Sequence, residues 1–140
     1  MDSEKDFQTT FRQLKAILQK YEKKLTVTTN KPGMYYLDGA YSEKHKGAIF
    51  FGAVAIKKNY VSNHLMPVYA SPELLKSLSP ALKKRMQGKS CFNFTTIDKA
   101  TLTELAALTK RGYAGFERMG FAPARERRKS ATRNESKRDE

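Results

Sequence analysis

The chain has 140 residues, enough for one domain with a true core. Its 27 Lys and Arg against 14 Asp and Glu give a formal charge of +13, which suits nucleic acid, anionic lipid or acidic ligands, or else only a solvated lysine-rich surface. The single cysteine, Cys91, excludes an internal disulfide, and no apolar run reaches the ~18 residues of a membrane span, so a cytoplasmic protein that does not enter the membrane is expected.

Residues 4–24 read as an amphipathic helix, because Phe7, Phe11, Leu14, Ile17, Leu18 and Tyr21 recur at steps of three and four. Ser3 is its expected N-cap, and Lys20, Lys23 and Lys24 would suit the negative end of its dipole. The β-branched run 25–29 predicts a strand, residues 30–33 a turn, 34–38 a second strand and 39–47 a polar loop. Residues 48–56, AIFFGAVAI, are apolar on both alternating faces and predict a central strand, with Gly52 marking a bulge or a close neighbour. Lys57-Lys58-Asn59 reads as a hairpin turn, with Asn59 available for positive φ, and residues 60–68 as the returning strand.

Ser71-Pro72 and Ser79-Pro80 each place a cap before a first-turn proline, predicting short helices over 72–78 and 80–86 with Gly88 as the stop. Residues 90–94 predict another strand. Thr101 with Glu104 forms a capping box for a last helix, with Leu102, Leu105, Leu108, Tyr113, Phe116 and Met119 as its buried side. Gly112 and Gly115 weaken such a helix unless close packing requires them. The division is a domain over residues 1–121 and a basic tail over 122–140. The tail has a net charge of +3, and its residues 123–140 read as disordered and are expected to be dispensable for folding. This order predicts an α+β fold, a mostly antiparallel sheet packed in two layers by N- and C-terminal helices.

Three segments carry a family resemblance: KKNYVSNHLMPVY (57–69), LSPALKKRMQGKSCFNF (78–94) and the helix beginning near Leu102. Together they resemble the YdhG-like family of domains of unknown function, over roughly residues 10–118. The resemblance implies a frataxin-like fold and, through one branch of the family, an iron-chaperone role. It brings no catalytic motif. Iron handling needs clustered carboxylates. Asp2, Glu4, Asp6 and Glu22 are scattered among lysines, and the first three are better explained by the helix dipole.

No P-loop, nucleophile elbow or dinucleotide fingerprint occurs, and no His or Cys pair has metal-ligand spacing, so no cofactor and no metal are expected. Cys91 and His64 fall on neighbouring strands and could pair as nucleophile and base, although a buried thiol beside a half-exposed histidine is the plainer reading. Lys83, Lys84, Arg85 and Lys89 surround the GKS turn and offer an anion site, which Lys110, Arg111 and the tail could extend.

Alternation in the strand from Tyr60 puts Tyr60, Ser62, His64 and Met66 on one face. In the strand from Ser90 it sends Phe92 and Phe94 to the core and leaves Cys91 and Asn93 opposite. The sequence therefore predicts a shallow groove on the sheet face away from the helices, lined by Tyr60, Ser62, His64 and Asn93, with Lys89 and Arg85 at its rim. A ligand or a second copy of the chain would cover it. The leading expectation is a non-enzymatic binding domain for an anionic ligand or acidic partner. A nucleic-acid-associated basic protein is the first alternative, and an iron chaperone by family analogy the second.

Overall fold

A computed structural model describes residues 2–44 and 46–122, with side chains from Phe7 onward. His45, the carboxylates of Asp2, Glu4 and Asp6, and the expected disorder of 123–140 lie outside the described residues. The fold is α+β. One six-stranded sheet, antiparallel throughout, carries an N-terminal and a C-terminal helix.

Helix α1 spans Asp2–Gln19 and buries Phe11, Leu14, Ile17 and Leu18 as one stripe. It is shorter than its periodicity suggests, and Ser3 lies inside it rather than capping it. From Tyr21 to Lys24 the chain continues in tight i→i−3 turns, so the three lysines are not in its last turn. Tertiary contacts hold those turns. The Tyr21 ring packs 5.0 Å from Tyr113 and 6.0 Å from Phe51, and the Tyr35 hydroxyl donates to Glu22 Oε2 at 2.6 Å.

Strands β1 (Thr26–Lys31) and β2 (Met34–Ser42) form a hairpin about Pro32-Gly33, where Gly33 takes φ 76. Strand β2 runs through the residues expected as a loop, because Tyr41 and Ser42 pair with Ala48 and Gly47 of β3 (Gly47–Ile56). The C-terminal segment fastens the same stretch. Ala40 N–H donates to the Phe121 carbonyl at 2.6 Å, and Ala122 is buried.

In β3 the register shifts. Leu37 faces Gly52 while Asp38 faces Phe50, leaving Phe51 as an extra residue. Phe51 and Val54 are fully buried, and Phe51 lies edge-on to Phe116 of the last helix. Gly52 has the close neighbour its sequence position suggests, since a Cβ there would stand 3.0 Å from the His64 carbonyl. Asn59 is not in the left-handed region. Lys46 is the one non-glycine there among the described residues.

Strand β4 (Val61–Leu65) ends three residues before the expected 68, and Met66–Ala70 form the short helix α2. Pro67 has no N–H to give the ladder and suits a first helical turn. Pro72–Ser77 is a 3-10 helix in which the Ser71 side chain makes no cap bond. Helix α3 (Pro80–Lys83) is capped by Ser79, whose Oγ accepts from Leu82 N–H at 3.3 Å. It stops early because Met86 and Gln87 form strand β5 and pair with β6 (Cys91–Phe94).

Helix α4 spans Lys99–Arg118 and is capped by Asp98, which accepts from Thr101 N–H at 2.7 Å. The expected Thr101–Glu104 box does not form, because Glu104 accepts from both the Ser79 N–H and its hydroxyl. Met119 is 43% exposed, so it does not belong to the buried side. The strand order is β1-β2-β3-β4-β6-β5. Helix α1 lies on β3 and β4, and α4 packs against α1, α2 and α3. The core lies between the helices and one sheet face.

The two α4 glycines differ. A Cβ at Gly112 would stand 2.8 Å from Pro67 Cβ, part of a rigid ring, whereas one at Gly115 meets only Arg118 Nη2 at 3.7 Å. Gly112→Ala is therefore expected to lower stability by about 1–3 kcal/mol, overpacking outweighing the gain in helix propensity. Gly115→Ala is expected to raise it by up to about 1 kcal/mol. Urea unfolding of both variants checks this, and shifts of the same sign would contradict the α2–α4 contact.

Candidate functional site

The helices leave the other face of the sheet uncovered. Strand β4 crosses its middle, with His64 opposite Ala53 of β3 on one side and Cys91 of β6 on the other. Ser62 lies between Ala55 and Asn93 in the same way. Val61, Asn63 and Leu65 point to the core and are buried. Ser62 and His64 are half-buried on the open face, as are Cys91 and Asn93.

These residues line a groove of about 500 Å³. Ala53 and Ala55 give it a low floor. Phe50 and Tyr36 bound one side, their ring centroids 6.0 Å apart. Lys57 and Tyr60 stand together at one end, because Lys57 N–H donates to the Tyr60 carbonyl at 2.7 Å and closes the β3–β4 turn. Gln87 of β5 contributes an amide on the far side. The volume is within the range of small-molecule sites.

The groove unites four of the sequence-predicted residues: Tyr60, Ser62, His64 and Asn93. It does not include the other two. Arg85 turns into a smaller hollow with Lys84 and Asp98, where a carboxylate already faces it, and Lys89 is exposed on the β5–β6 turn outside the lining. The anion site expected around Lys83, Lys84, Arg85 and Lys89 is thus divided between different surfaces. Sequence reasoning missed Tyr36, Phe50, Ala53, Ala55, Lys57 and Gln87. A signal existed for Lys57, which shares the hairpin turn with Tyr60. The β3 residues depend on the bulge, which sequence alternation does not reveal.

His64 holds the polar centre of the groove. Its Nε2 is 2.8 Å from Ser90 Oγ and its Nδ1 is 3.1 Å from Cys91 Sγ. Its ring meets Phe50 edge-on at 5.2 Å. Burial holds the imidazole below its ordinary pKa, so the neutral ring is favoured, with one nitrogen donating and the other accepting. Ser90 is buried, whereas Cys91 opens to the groove.

A second hollow of about 540 Å³ lies between α1 and α4, edged by Lys20, Lys24, Lys110 and Glu117. Among the described residues no three His, Cys, Asp or Glu side chains gather as a metal site, and no helix is long and apolar enough to cross a membrane. Compared with family models, curated proteins and solved structures, the chain matches none of them. The resemblance to the YdhG-like family therefore rests on the three quoted segments alone.

The histidine gives a pH dependence of known sign. A group whose folded pKa lies below its unfolded value binds more protons unfolded in the window between the two. The stability it contributes is full above about pH 6.5 and is lost as pH falls through its lowered folded value. Urea stability is expected to fall between about pH 7.5 and about pH 5.5, and His64→Gln is expected to shrink that fall. An equal fall in the variant would show that His64 titrates as an ordinary exposed histidine.

Proposed function

We propose that the protein binds a small organic anion with a flat ring in the groove of the open sheet face. The observation that supports this most is the composition of the lining. Rings of Tyr36, Phe50 and Tyr60 border a floor of alanines, and among the described residues lining the groove Lys57 is the one formal charge. A planar ligand can stack on such rings, since aromatic pairs favour offset or edge-on contact. Its acidic group would meet Lys57, and Ser62, Asn93 and Gln87 offer hydrogen bonds to fix its orientation. With His64 held neutral by burial, Lys57 is the cation left in the lining to meet the acidic group. The hollow between α1 and α4 has more lysines, but Glu117 on its edge opposes an anion there.

The same rings support a second reading. Aromatic side chains on an open sheet in a chain of charge +13 would also suit single-stranded nucleic acid, whose bases stack while lysines meet its phosphates. The small-ligand reading is preferred because the groove is bounded at its end by the Lys57–Tyr60 turn. Iron handling draws on the family resemblance alone.

Titration with adenosine monophosphate, a ringed anion, is expected to shift the NMR signals of Tyr60 and His64 at constant ionic strength. Lys57→Ala is expected to weaken binding by about fivefold, the scale of an exposed ion pair of about 1 kcal/mol. Unmoved Tyr60 and His64 signals would overturn the reading. Much tighter binding of a short single-stranded oligonucleotide, falling steeply with salt, would favour the second reading over the first.

A further inference from the structure

We propose that Cys91 is a nucleophile that accepts an acyl group from a small ester or thioester entering the open-face groove, with His64 as its base. Three observations carry this. The thiol lines the groove rather than being sealed in the core. Its Sγ lies 3.1 Å from His64 Nδ1, within reach for proton transfer. The other ring nitrogen, Nε2, lies 2.8 Å from the hydroxyl of Ser90, which is buried and held in the sheet by its carbonyl bond from Leu65 N–H. Nucleophile, base and a third group that orients the base are the arrangement that activates a side chain for covalent catalysis.

When Nε2–H donates to Ser90 Oγ, the lone pair of Nδ1 faces the Cys91 thiol. Ser90 is thus a positioning residue. As Sγ attacks the acyl carbon, the thiol proton passes to Nδ1. The tetrahedral intermediate then breaks its bond to the leaving oxygen or sulfur, which takes the proton from Nδ1 and departs as an alcohol or thiol. Cys91 is left as the S-acyl derivative. Water can release the acid in a second step, giving a proton to Nδ1 as its oxygen attacks the thioester carbon, while Sγ leaves and recovers that proton. Gln87 is paired directly opposite Cys91 on β5 and Asn93 lies two residues along β6 on the same face, so their side-chain amides are the groove's donors on either side of Cys91 for the carbonyl oxygen.

The titratable groups that line the groove around His64 are Cys91 from β6, Tyr36 from β2, and Lys57 and Tyr60 from the β3–β4 turn, and Asp38 of β2 lies on the same face opposite Phe50, outside the lining. No carboxylate lines the groove, and the Phe50 ring packs against His64 on the side of Asp38, so no anionic group of the lining holds the imidazole protonated.

This inference uses the groove but not its preference for anions, and its test is independent of that reading. The full chain is treated with p-nitrophenyl acetate, following nitrophenolate release and the mass of the Cys91 peptide. One acetyl group on Cys91 is expected. Between about pH 6.5 and about pH 8 the wild-type acylation rate should level off, whereas an unassisted thiol gains about tenfold per pH unit below its pKa of about 8.5. His64→Gln should slow acylation by about a hundredfold at neutral pH and restore the tenfold slope, and Cys91→Ala should abolish the adduct. The pH profile needs no variant, so it stands even if His64→Gln fails to fold. A wild-type rate climbing tenfold per unit across that range, or acetyl found on lysines with Cys91 unmodified, would overturn the proposal. Failure of adenosine monophosphate to bind would leave it intact.

Discussion

The extra residue at Phe51 decides which side chains of the central strand meet the helices and which are left on the open face. Strict alternation from Phe50 would send Gly52, Val54 and Ile56 to the face of Phe50. With the bulge, Val54 joins Phe51 in the core instead, and Ala53 and Ala55 take the open face. Small side chains there make a depression, and the larger rings of Phe50 and Tyr36 become its wall. On the core side, Phe51 meets Tyr21, Tyr113 and Phe116 and ties the terminal helices to the sheet, while the register shift beside it shapes the groove. Burying a phenylalanine contributes about 1.5–3 kcal/mol, which sets the scale on which this register is held.

Two further contacts transmit that order to the polar centre. Pro67 stands in the first turn of α2, which follows β4 directly, and rests against Gly112 of α4. The end of β4 is thereby fixed against the helical layer, one turn away from His64. On the other side, Leu65 N–H donates to the Ser90 carbonyl at 2.9 Å, which extends the β4–β6 register past His64 and Cys91. The imidazole is thus clamped between Ser90 and Cys91 by backbone pairing. A buried hydroxyl left without a partner would cost about 1–3 kcal/mol, so Ser90 favours the bonded ring orientation. Geometry and electrostatics agree here: the burial that lowers the pKa of His64 also keeps its base form available at neutral pH.

Much of this was legible in the residues themselves. The stripe from Phe11 to Leu18, the Pro32-Gly33 hairpin and the long last helix are local patterns, and each element formed near its expected place. The facing of Ser62 and His64, and of Cys91 and Asn93, also follows from alternation alone. What failed was set by partners. Residues 39–42 became strand because β3 and Phe121 lie alongside them. Glu104 left its capping box because Ser79 offered two donors. The basic cluster at the GKS turn points Arg85 and Lys89 toward the groove rim, but the pairing of β5 directs Arg85 elsewhere and contributes Gln87 instead. The end of β4 was readable after all, since Pro67 already argued against a strand running to Val68.

The site depends above all on an uncovered sheet face that leaves Cys91 within reach of solvent. The most direct measurement is the reaction of the native protein's single thiol with a chromogenic aromatic disulfide, followed with and without denaturant. One equivalent of thiol is expected to react in the native state, at a rate independent of protein concentration and not limited by unfolding. A thiol that reacts only as the protein unfolds, or only at dilutions that dissociate a dimer, would contradict it.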